Sequence, residues 1–114
     1  MSPRLTKAEQ TQRTRRAILD RARQLFATQG YAATGTEEII RDLGITRGAL
    51  YHQFHNKLGV FRAVIVEAYS EITDSIRVQI QPLDTNWEQL ITGCQAFLEV
   101  AQQEELRRLV FVEA

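Results

Sequence analysis

Apolar residues recur at helical spacing from one end of this chain to the other. Ile18, Ala22, Leu25 and Phe26, with Leu19 alongside, follow the i, i+4, i+7, i+8 pattern of one helix face. Thr6 and Glu9 form a capping box ahead of them. Gly30 provides the stop, since glycine takes the left-handed conformation of a helix end without a Cβ clash. The spacing therefore predicts a first helix ending at Gln29, whose opening "TKAEQTQRTRR" lacks an apolar stripe and is expected to project or fray. "YAATG" leads to a short second helix over residues 36–43, with Ile39, Ile40 and Leu43 inward and Thr34 with Glu37 as a second capping box. Gly44 closes it, and Thr46 caps a third helix ending near Phe54. Asn56 caps a fourth that Pro82 cannot continue, with Leu58, Phe61, Ile65, Ala68, Ile72, Ile76 and Ile80 as its apolar seam. Thr85 with Glu88 opens a fifth that carries Trp87, Leu90, Ile91, Cys94, Phe97, Leu98 and Ala101 inward. A sixth begins near Glu104 and is still under way at Ala114. No segment alternates with the period of a strand, so the expected fold class is all-α.

Composition narrows the function. Hydrophobic residues at 44% and charged residues at 25% are ordinary for a soluble globular chain. The single cysteine, Cys94, excludes an intrachain disulfide and a thiol redox pair. "VFRAVIV" is too short to span a bilayer and is interrupted by Arg62, and the N-terminus has no apolar signal core. The expectation is a cytoplasmic protein with no membrane partner. The net charge of zero hides an asymmetry: residues 1–57 hold ten Lys/Arg against five Asp/Glu, and residues 58–114 hold four against nine. A basic first half suggests a polyanion partner, the plainer alternative being a solvated basic face. No Ser/His/Asp set, phosphate loop or paired carboxylates point to an enzyme. His52 and His55 stand at i, i+3 but lack a third ligand at useful spacing, so neither a metal nor a cofactor is expected.

One stretch carries chemistry. "TEEIIRDLGITRGALYHQF" is two short helices around a glycine-containing turn, the helix-turn-helix pattern in which the second helix enters the DNA major groove. With Leu50 and Phe54 turned inward, Gly48 and His52 face directly away, Ala49 and Gln53 lie on one flank, and Arg47 and Tyr51 lie on the other. Gly48 costs such a short helix about 1 kcal/mol against alanine, which makes sense where backbone must approach a groove floor or a phosphate. Arg47 follows the cap Thr46 and Lys57 follows the cap Asn56, so two cations stand at helix starts, where the dipole favours anions. A phosphate near each start would be attracted by dipole and cation together. Arg13, Arg15 and Arg16 either contact phosphate or a minor groove, or form a solvated basic face.

"TRRAILDRARQLFATQGYAATGTEEII" followed by "LGITRGALYHQFHNKLGVF" resembles the TetR family of bacterial transcriptional regulators, most specifically from Thr14 to Phe61. The resemblance implies a three-helix helix-turn-helix DNA-binding domain over residues 1–56. The first helices of a helical ligand-binding and dimerisation domain, incomplete in these residues, would occupy 57–114. It also implies that Thr36, Tyr51 and Lys57 contact phosphate and that Arg47, Gly48 and His52 meet base edges, with Thr46 and Ala49 on the same surface. Two positions depart from the family pattern. Ile40 replaces a small residue between the paired helices, and Gly35 replaces a Ser or Thr, removing one phosphate or capping bond. Tyr69, Trp87, Phe97 and Phe111 either line a small-molecule pocket, as in the family's regulatory domain, or are core. The expected function is a sequence-specific repressor, a homodimer on a palindromic double-stranded operator, released by a small hydrophobic effector. The alternative is a helical interaction protein whose basic half binds an acidic protein. "RRLVFVEA" is apolar and uncapped, and the resemblance puts the dimer helices beyond it. The functional protein is therefore expected to be longer, and these 114 residues alone to be weak operator binders.

Overall fold

A computed structural model describes residues 6–113, which are helical, with no strand among them. The elements are α1 (Lys7–Gln29), α2 (Thr36–Ile40), α3 (Arg47–Phe54), α4 (Lys57–Ile80), α5 (Asn86–Gln102), α6 (Glu104–Leu106) and a π-helical segment (Arg107–Glu113). The chain divides into two compact units, Met1–Val64 and Ile65–Ala114.

In the first unit α1 starts as its sequence dictates: Thr6 Oγ1 accepts from Glu9 N, and the Glu9 carboxylate accepts from Thr6 N. The helix holds from Lys7 onward, so the "TKAEQTQRTRR" segment is regular helix rather than a frayed arm. Gly30 has φ +88° and ψ 161°, not the left-handed helical pair expected, but a conformation still confined to glycine. The second capping box does not form. Thr34 is buried, and its hydroxyl donates to Gly30 O at 2.7 Å and accepts from Gln29 Nε2 at 3.3 Å. Gly35 is the N-cap of α2 and supplies no side-chain bond. That helix stops at Ile40, short of Leu43, because Arg41 is extended and Asp42 has φ +67°.

The core of this unit is Ile18, Leu19, Ala22, Leu25 and Phe26 of α1, Ile39 and Ile40 of α2, Leu50 and Phe54 of α3, and Val60 and Val64 of α4. Phe26, Tyr31 and Phe61 form a ring triangle with centroids 4.9–5.7 Å apart, a geometry worth about 0.5–1.5 kcal/mol per pair beyond area burial. The buried row of α4 is Val60, Val64, Ala68 and Ile72, so its inward face is turned from the expected seam: Leu58 is exposed, and Phe61 and Ile65 are intermediate.

In the second unit Thr85 caps α5 through Glu88 N, yet the residues expected inward are largely outside. Ala96 and Val100 are the buried positions of α5, whereas Trp87, Leu90, Ile91, Phe97 and Leu98 are exposed. α6 is a single turn, after which the backbone widens to π geometry. This segment buries Leu109 and Val110 and leaves Phe111 and Val112 outside. The expected continuation to Ala114 lies outside the described residues.

Candidate nucleic-acid interface

The turn between α2 and α3 is set by backbone chemistry. Asp42 and Gly44 both adopt positive φ, which reverses the chain within four residues and delivers Thr46 as the cap of α3. Thr46 Oγ1 accepts from Ala49 N at 3.1 Å. Leu50 is fully buried and Phe54 nearly so, which fixes the rotation of α3 about its axis. Arg47, Gly48, Tyr51 and His52 are exposed, Ala49 and Gln53 half-buried. Thr46 is exposed as well, and Thr36, at the start of α2, is half-buried.

Arg47 is tied across the turn. Its Nη2 pairs with Glu37 Oε1, joining the first turn of α3 to the first turn of α2. The neighbouring Glu38 is turned the other way and accepts from Gln29 Nε2 at 2.6 Å. Lys57 is occupied inside the unit. Its Nζ donates to Tyr31 O at 2.7 Å and Thr34 O at 2.9 Å and lies 4.1 Å from the Tyr31 ring centroid. The cation at the start of α4 is therefore accommodated by two carbonyls and an aromatic face, and the geometry gives Lys57 the task of locking the 31–34 loop. Its cap nevertheless forms as the sequence suggests, with Asn56 Oδ1 accepting from Gly59 N at 2.8 Å.

α1 borders the other side of α3. Gln53 Nε2 donates to Thr11 O at 3.4 Å. Lys7, Gln10, Thr11 and Thr14 line a crevice of about 300 Å³ with Ala49, His52 and Gln53. The three arginines of α1 separate in role: Arg15 stacks its guanidinium 4.8 Å from the Phe54 ring centroid, Arg16 bonds Asp20 one turn on, and Arg13 is exposed. The Glu37 partnership and the Arg15–Phe54 stack join residues far apart in sequence, and no local pattern announces them.

The aromatic residues of the second unit do not converge. Phe97 and Phe111 meet edge to face at 5.7 Å, whereas Tyr69 and Trp87 stand exposed, Trp87 at 69%. An open apolar groove of about 460 Å³ is lined by Ile76, Gln89, Leu90, Gly93, Cys94, Phe97 and Leu98. Phe97 is the one expected pocket residue among them. No helix among the described residues is long and apolar enough to cross a membrane.

Comparison with known proteins agrees with this geometry. Residues 18–64 match the family described as bacterial regulatory proteins, tetR family. The chain is 37% identical over 108 residues to the HTH-type transcriptional regulator AcrR of Shigella flexneri, covering 90% of this chain and 48% of that protein. It is 43% identical over 65 residues to the HTH-type transcriptional repressor BepR of Brucella suis biovar 1, covering 57% and 31%. The crystal structure of a TetR-family transcriptional regulator from Pectobacterium atrosepticum superposes with a TM-score of 0.77 at 32% identity, covering 95% of this chain and 55% of that one. The chain thus spans about half the length of AcrR and of the Pectobacterium protein. With its paired helices, its outward α3 face and these matches, the N-terminal unit carries the DNA-binding region of the TetR family of bacterial regulatory proteins.

Proposed function

We propose that this chain binds operator DNA as the reading part of a transcriptional repressor. One observation carries the reading: α3 is anchored by Leu50 and Phe54, so its opposite side presents Arg47, Gly48 and His52 to solvent, with Tyr51 on the flank. A helix so held can enter a major groove, with Arg47 reaching a guanine edge and Thr36, Thr46 and Tyr51 contacting phosphate. Residues 1–56 form the reading domain, and residues 57–114 begin a ligand-binding and dimerisation domain. Lys57 supports the loop beside the reading pair rather than contacting DNA itself. A two-fold dimer would set two α3 helices about 34–36 Å apart on a palindrome. The repressor sense is supported by the similarity to BepR, a transcriptional repressor. Release by a small hydrophobic effector is supported by the apolar groove of α5 and the Phe97–Phe111 pair.

Selection of bound duplexes from a random pool tests this. The wild-type chain enriches a motif with steep salt dependence. Arg47→Ala relaxes one or two positions per half-site, losing about 1–3 kcal/mol of discrimination there, and Tyr51→Phe weakens all sequences alike. An unchanged motif for Arg47→Ala removes its base role. Absence of any enrichment, with salt-sensitive binding to acidic proteins, would favour the interaction-protein reading.

A further inference from the structure

Among the described residues, Glu37 bonds the first residue of the reading helix. Glu9 bonds its own cap, Asp20 pairs with Arg16, and Glu38 is taken by Gln29. Glu37 instead holds Arg47, with the two side chains 59% and 61% exposed. Such an exposed pair adds little stability. Its place is what matters, because whatever docks on α3 meets the guanidinium with its carboxylate attached.

We propose that Glu37 is a positioning residue for Arg47, aiming the guanidinium at a base edge and withholding it from the phosphate backbone; this rests on the DNA-binding reading above. A guanidinium carries five N–H donors in a rigid fork. Glu37 Oε1 occupies Nη2, leaving the remaining donors for the O6 and N7 acceptors of guanine, so the contact to Glu37 and the contact to a base coexist. A swing onto a phosphate breaks the pair and leaves an unneutralised carboxylate beside a polyanion. Non-specific complexes, which have only phosphates to offer, lose most from this arrangement. The carboxylate therefore weakens binding everywhere except where a base completes the set.

Fluorescence titration of the 114-residue chain with a random-sequence duplex, across a salt series, tests the proposal. Glu37→Gln is expected to tighten non-specific binding several-fold and to steepen the log–log salt slope by about 0.9, the signature of one more neutralised phosphate. The affinity ratio between a selected duplex and the random one falls correspondingly. Glu38→Gln removes the same formal charge one residue away and leaves the slope unchanged. Placed in an Arg47→Ala background, Glu37→Gln has no effect on slope. Circular dichroism of each variant checks that α2 and α3 are intact. An unchanged slope in Glu37→Gln, an equal change in Glu38→Gln, or persistence of the effect without Arg47 each overturns the proposal. A wild-type chain that shows no salt-dependent binding to any duplex overturns the DNA-binding reading itself, and this proposal with it.

Discussion

Alanine at Gly59 and alanine at Gly48 should move stability in opposite directions, although both glycines lie in helices. Replacing helical glycine with alanine ordinarily stabilises by up to about 1 kcal/mol. At Gly48 nothing opposes this, since the nearest atom to an added Cβ is Thr46 Oγ1 at 3.9 Å, an ordinary contact. At Gly59 the added carbon would lie 1.8 Å from Phe54 O and 2.9 Å from Phe54 C, both backbone atoms. The joint between α3 and α4 would have to open by more than an ångström. It has little slack, because His55 already holds φ +72°, the Phe54 ring is core and the Asn56 cap closes on Gly59 N. Overpacking of this kind costs about 1–3 kcal/mol, and a weakened cap about 1 kcal/mol more. Net of the propensity gain, Gly59→Ala should destabilise by about 2 kcal/mol, lowering Tm by about 10 °C for a domain of this size, while Gly48→Ala raises Tm by a few degrees. Thermal melts followed by circular dichroism, with urea titrations at 25 °C, provide the comparison. A Gly59→Ala chain as stable as the wild type would refute the close approach of α3 and α4 on which this reasoning rests.

Two further substitutions follow from the internal bonds of the first unit. Lys57→Met keeps the length of the stem but strands the Tyr31 and Thr34 carbonyls, so stability should drop by about 2 kcal/mol in urea titration. A stability equal to the wild type, with only DNA affinity reduced, would return Lys57 to phosphate contact. Thr34→Val fills the same volume without the hydroxyl that bonds Gly30 O and Gln29 Nε2, and should cost about 1 kcal/mol in the same titration. An unchanged midpoint would show that the Gly30 end of α1 is held without it.

The sequence by itself determined the features that depend on neighbours along the chain. The Thr6–Glu9 box, the Thr46, Asn56 and Thr85 caps, the Gly30 stop and the inward pair Leu50 and Phe54 all rest on bonds or periodicities within a few residues. That was enough for the all-α class and for the outward face of α3. Thr34 had competing partners within five residues on either side, and its burial at the end of α1 gave its hydroxyl to Gly30 O and Gln29 Nε2 rather than to the start of α2. Tertiary structure decided what depends on residues distant in sequence. Lys57 looked like a cation waiting for a phosphate, until the loop at Tyr31 and Thr34, more than twenty residues upstream, supplied its acceptors. Arg47 found Glu37 only because Asp42 and Gly44 fold the turn back. The inward faces of α4 and α5 were misjudged for the same reason. An apolar stripe shows which residues favour burial, but which of them are buried depends on the surfaces the fold brings against the helix, and Val60, Val64, Ala96 and Val100 were the residues that met one.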